Sequence, residues 1–240
     1  MEHFELHPYL QVSLFGVDLS ITKAVVMMWI ACAIVFFVLW AAGRRTRLVP
    51  TGLQNAAESL VEFLRDGLVV EVMGKEGLSW FPFIATLFLF ILVCNLLGLV
   101  PGAFTATSKT GVTVSLAIIV FLAYHLVGIK KHGPVKYFLN LVPSGLPVWL
   151  IPFMAIMEVV SHLARPLSLA IRLFANMAAG HVVILVFTLM AVSGSWLIKW
   201  LPFSGTIVMG LLEMFVAFIQ AYIFAILAAI YIGGAIHIEH

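Results

Sequence analysis

Apolar positions along this chain run in long blocks, and polar positions gather between them. Five blocks stand out, at residues 21–42, 80–100, 112–130, 147–192 and 204–237. A helix that crosses a bilayer needs about 20 such residues, so each block is long enough. Residues 51–75 follow another pattern. Ala56, Ala57, Leu60, Val61, Leu64 and Leu68 recur at helical spacing, with Glu58, Glu62, Arg65 and Asp66 between them. That pattern predicts an amphipathic helix lying on a membrane or against a partner. Strand-type alternation is absent, and lipid requires every backbone group to be satisfied internally. The pattern therefore predicts an all-α integral membrane protein forming a single membrane domain. It has five membrane-crossing helices and one amphipathic interfacial helix.

The last two blocks are too long for a simple crossing. At 1.5 Å per residue, 147–192 extends more than twice the roughly 30 Å of hydrocarbon. Residues 204–236 would extend about 50 Å by the same rule. Pro166 is the one breaker in the first of them, and it could supply a bend. The stretch from Ser193 to Pro202 reads as the turn between them. Together they predict a long, steeply inclined hairpin, a shape suited to embracing a curved object such as a ring of helices.

Composition agrees with this picture. Of 240 residues, 63% are hydrophobic and 10% are charged, against about 25% charged in a soluble domain. The net charge of +2 carries little by itself; its distribution carries more. Arg44, Arg45, Arg47, Lys130, Lys131 and Lys136 cluster after the first and third blocks, whereas Lys109 and Lys199 stand alone in the other loops. The positive-inside bias places the clusters in the cytoplasm, the N-terminal segment 1–20 outside and the C-terminus inside. The N-terminal stretch lacks the basic region of a signal peptide, so the first block reads as a retained span. Cys32 and Cys94 read as buried free thiols. No HExxH, GxSxG or phosphate-cradling motif occurs. The sequence thus gives no support to protease, nucleotide-binding or nucleic-acid roles, and it calls for no metal or cofactor.

Arg172 breaks the apolar pattern most sharply. A guanidinium keeps its charge, and at membrane depth it costs roughly 2.5–3.5 kcal/mol on insertion scales. Snorkelling needs a nearby interface, and apolar residues flank Arg172 on both sides. Other polar groups share the hairpin: Glu158, Ser161, His162, Arg165, Asn176 and His181 on its first helix, Glu213 and Gln220 on its second. At 100° per residue Glu158, Arg165, Arg172 and Asn176 fall within about 80° of one another, with His181 on roughly the opposite face. Glu213 and Gln220, seven apart, share a face. Two uses compete. Such groups can hold helices together, or they can line aqueous paths for an ion. Carboxylates and imidazoles beside an arginine favour a proton path. Glu158 and His162 lie one turn apart but lack a third ligand for a metal.

The run Leu169-Ala-Ile-Arg172-Leu-Phe-Ala-Asn176-Met-Ala-Ala-Gly180 resembles the signature of the subunit a family of F-type ATP synthases. Pro50-Thr-Gly-Leu-Gln-Asn, Asn95-Leu-Leu-Gly-Leu-Val-Pro101 and Glu213…Gln220 fall in the family's order, so the resemblance covers almost the whole chain. It implies a non-catalytic translocation subunit in a bacterial inner membrane, packed on a ring of c subunits and touching the b-subunit peripheral stalk. Arg172 matches the essential arginine that faces the ring carboxylate. Asn176, His181, Glu213 and Gln220 match the proton path from the outside. Glu158 and Ser161, with His162 beside them, match the path to the cytoplasm.

Two positions depart from part of the family. Some members carry an acid at the position of His181 and a histidine at that of Glu213, an exchanged pair. Gly98 stands where some members carry an acid. The implied ion is H⁺, with Na⁺ the other candidate. The rival reading is a stand-alone ion channel or secondary transporter, which would need its own substrate site and often shows internal repeats. No convincing repeat relates the two halves.

Overall fold

Long helices dominate the computed structural model, which describes residues 13–14, 17–18, 22–44, 50–100, 106–139, 150–193 and 200–236. Residues 1–12, Arg45, Arg47, Lys199 and the tail from His237 lie outside the described residues. So do the side chains of Glu158 and His181, although their backbone belongs to a helix.

The order is α1 (Lys23–Gly43), α2 (Leu53–Leu64), α3 (Glu71–Met73), α4 (Phe81–Gly98), α5 (Thr110–His132), α6 (Pro134–Leu139), α7 (Ile151–Ser193) and α8 (Trp200–Ile236). Among the described residues, five helical segments are long and apolar enough to cross a membrane: Lys23–Gly43, Lys75–Gly98, Thr110–His132, Val160–Val192 and Trp200–Ile236. The protein is therefore a multi-pass membrane protein of the all-α class. One small antiparallel pair, β1 (Ser13–Leu14) with β2 (Val17–Asp18), precedes α1. Two residues per strand are too few for alternation to show in the sequence.

The amphipathic segment is not one uniform helix. After α2 the backbone widens into a π-helical turn, Arg65–Val70, before α3. Leu64, Leu68, Val69 and Met73 are buried, so the step from Leu68 to Met73 is five residues. A π turn accommodates that spacing, whereas a regular α-helix would rotate Met73 away from Leu68. Gly74 then turns the chain at φ 68° and ψ −170°. A 3₁₀ stretch, Lys75–Trp80, leads into α4.

Helix α7 has 43 residues and α8 has 37, about 65 Å and 55 Å of helix. Pro166 lies inside α7, which continues through it.

Two compact units divide the chain. The first takes residues 1–57, 89–109 and 174–221; the second takes 58–88, 110–173 and 222–240. In the first, Ala31 of α1 meets Cys94 of α4 and Ala106, with Met27, Phe90 and Leu97 packed around them. Small residues let helices approach closely where water provides no hydrophobic push. Cys94 is buried as expected, but Cys32 is exposed. It is one position beyond Ala31 and so turns outward with Phe36. In the second unit, Lys131 at the end of α5 reaches Glu76 at 2.6 Å.

Candidate functional site

Arg172 is half-buried on α7, between exposed Ile171 and buried Leu173. Among the described residues its guanidinium makes no hydrogen bond, ion pair or aromatic contact. No ion pair with a described side chain therefore accounts for it. Ala164 and Ser168, eight and four residues before it, are exposed. Leu169 and Ala170 are buried behind them. The flank of Arg172 is thus small and open.

In the first unit, residues 174–193 of α7 and 200–221 of α8 run antiparallel. Asn176 pairs with Gln220, Gly180 with Glu213 and Gly205 with Phe187, so the residue numbers of each pair sum to nearly the same value. Asn176 Nδ2 donates to Gln220 Oε1 at 2.7 Å. Gln220 is buried, and its Nε2 has no hydrogen-bond partner among the described residues. An interhelical bond of this kind contributes on average about 0.6 kcal/mol. A buried amide left unsatisfied costs roughly 1–3 kcal/mol. Gluing helices alone would not favour that balance, so the pair suits a site better than a staple.

Glu213, also buried, sits over Gly180. A Cβ placed on Gly180 would lie 2.7 Å from Glu213 Oε1. The missing side chain is what admits the carboxylate between the two helices. Ala175 and Ala179, one turn apart, are exposed on this stretch of α7.

Asn95 contributes something the sequence reading did not assign. Its Nδ2 donates to the Ala217 carbonyl of α8 at 3.4 Å, and its Oδ1 accepts from Thr107 Oγ1 at 2.6 Å. It anchors α4 and the 3₁₀ turn Ala106–Ser108 to α8, one turn from Glu213 and Gln220. Its place within Asn95-Leu-Leu-Gly was visible; its partner Ala217, over 100 residues away on α8, was not.

Elsewhere, in the second unit, Ser161 is exposed on α7 and His162 is half-buried. Tyr124 Oη and His162 Nδ1 lie 3.0 Å apart. The structure thus brings Asn176 and Gln220 together, sets Glu213 in the space left open by Gly180, and gives His162 an aromatic partner. It leaves Arg172 open.

Comparison with known proteins points one way. The sequence model of the family described as ATP synthase A chain matches residues 25–233. A protein of Magnetococcus marinus named ATP synthase subunit a is 42% identical over 244 residues, covering all of this chain and 93% of that protein. Its namesake from Xanthobacter autotrophicus is 42% identical, covering all of this chain and 98% of its own length. The namesake from Rhodospirillum rubrum is 37% identical, with the same coverage.

Proposed function

Because the chain belongs to the ATP synthase A chain family, we propose that it is the proton-translocating subunit a of an F-type ATP synthase, with Arg172 as the charge between two aqueous half-channels. The subunit is no enzyme on its own. It lies in a bacterial inner membrane with its N-terminus outside and its C-terminus in the cytoplasm. Its partners are the c-subunit ring and the b-subunit stalk.

The carrying observation is the open guanidinium of Arg172 beside Ala164 and Ser168. Small exposed residues allow a neighbouring helix to come close. A ring carboxylate facing lipid is protonated, because burial disfavours its charged form. A cation within about 4–6 Å pulls such a pKa down by about 1–3. Passing Arg172, the ring acid therefore sheds its proton. The fixed charge also repels any proton that would cross directly, so flow requires rotation. Asn176, His181, Glu213 and Gln220 form the outside path; Glu158, Ser161 and His162 form the cytoplasmic one. The exchanged acid and imidazole at 181 and 213 still supply one group of each kind.

Arg172→Ala is expected to abolish proton-driven ATP synthesis in membrane vesicles while the complex still assembles. Arg172→Lys fails as well, since an ammonium can lose its proton in an apolar site. Normal synthesis by the alanine variant overturns the assignment.

A further inference from the structure

We propose that Tyr124, His125, Tyr137 and His162 form a proton relay between the polar path on α7 and water at the basic end of α5. The inference rests on the reading of this chain as a proton-conducting subunit. All four residues belong to the second unit.

The geometry consists of two phenol–imidazole pairs. Tyr124 Oη meets His162 Nδ1 at 3.0 Å, and Tyr137 Oη meets His125 Nδ1 at 2.9 Å. The two imidazoles stand 5.4 Å apart between centroids, tilted by 33°. Tyr124 and Tyr137 are buried, whereas the two histidines are half-buried. Tyr137 comes from α6, and its ring occupies the space where Gly128 of α5 has no side chain.

The choice of partner matters. A phenol O–H donates to a neutral imidazole nitrogen. When that nitrogen takes a proton, its N–H donates to the same phenol oxygen. One bond therefore serves both charge states by reversing direction. A carbonyl would hold that nitrogen protonated, and an amide N–H would hold it bare. Burial pushes the Tyr137 hydroxyl above its ordinary range, so it stays a neutral donor at working pH.

The charged neighbours set the capacity. Arg165 of α7 lies over Tyr231 of α8, its Cζ 5.3 Å from the ring centroid, and Tyr231 faces Tyr124 at 6.0 Å. Among the described residues, Tyr124 on α5, Tyr137 on α6 and Tyr231 on α8 also face the imidazoles. Two imidazolium ions this close repel each other, and Arg165 adds to the repulsion. The pair thus carries one excess proton at a time. A proton accepted by His162 passes to His125 across the 5.4 Å between the rings by way of one bridging water, and His125 then gives it up to water at the cleft.

Position completes the argument. His125 lies seven residues before the end of α5, about 10 Å by helical rise, and fifteen residues from its start. The near end carries Lys130 and Lys131, which line a cleft of about 490 Å³ together with Val127 and Glu76. His162 is next to Ser161 in the cytoplasmic path proposed above.

The test uses the assembled membrane sector in inverted vesicles stripped of the catalytic head, with passive proton flow driven by a potassium diffusion potential. Tyr137→Phe keeps the ring beside Gly128 and removes the hydroxyl. His125→Gln keeps an acceptor for Tyr137 and cannot be protonated. In weakly buffered medium both are expected to slow flow roughly tenfold, less than a lone acid–base group contributes because two imidazoles share the task. A high concentration of a small mobile buffer should restore it. Unchanged flow in both variants, or a slowing that buffer fails to restore, overturns the relay. Arg172→Ala in vesicles that keep the catalytic head, assayed for proton-driven ATP synthesis, separates the two claims. If it uncouples while the relay variants flow normally, only the relay falls; if it leaves coupling intact, the functional reading itself fails.

Discussion

At the scale of single residues, absent side chains matter as much as present ones. Gly180 gives Glu213 its place, and Gly205 gives Phe187 its place: a Cβ on each would lie 2.7 Å from Oε1 and 2.9 Å from the ring. The two substitutions should separate. Gly180→Ala displaces a carboxylate of the proposed outside path, so proton flow per assembled complex should fall several-fold. Gly205→Ala crowds an apolar contact, so complex yield should fall while flow per complex holds. Vesicle acidification normalised to assembled subunit checks both. Equal loss of flow in the two variants would reduce Gly180 to a packing residue. The periodicity of the sequence put Glu213 and Gln220 on one face of α8. It could not pair either with α7, because helical spacing fixes faces within a helix and not the register between two. For the same reason the phenol partners of His125 and His162 were invisible.

At the scale of elements, the segment from α2 to α4 shows what hydropathy misses. Its charged and apolar faces predicted an amphipathic helix over 51–75, and Glu58, Glu62 and Arg65 are exposed. Arg65 holds the Asp66 carboxyl below the usual range through a 2.8 Å contact, but both groups are exposed and such pairs contribute little. The π turn and the Gly74 corner were not legible, since hydrophobic spacing averages over one extra residue. Gly74 occupies a backbone region that is essentially glycine's alone, and nothing lies within 4 Å of a Cβ built there. Gly74→Ala should therefore act through backbone strain alone. A loss of about 1–3 kcal/mol is expected, read as earlier thermal dissociation of the purified complex. An unchanged melting profile would contradict the strain. α7 was legible in another way: its length exceeds any single crossing, and the apolar run through Pro166 carried that information directly.

At the scale of the whole molecule, the five long apolar helices follow from the sequence because lipid makes hydropathy nearly sufficient. The remaining choice lies between a stand-alone transporter and a part of a larger machine. Large apolar side chains on α7 and α8, including Leu167, Ile171, Leu211 and Phe215, are exposed in the single chain. Detergent extraction should bring the chain out together with a small ring-forming hairpin protein. Isolation as a lone transporting homodimer would favour the transporter. Arg172 adds a consequence for biogenesis. A newly made copy brings a permanent cation into the bilayer with no partner for it among the described residues, so on the reading proposed above the finished rotor would also be the counterion that makes the subunit comfortable in lipid. On that reading, synthesis in excess of rotors would leave misfit copies for membrane quality control to clear, and Arg172 would also hold the stoichiometry of the parts around it.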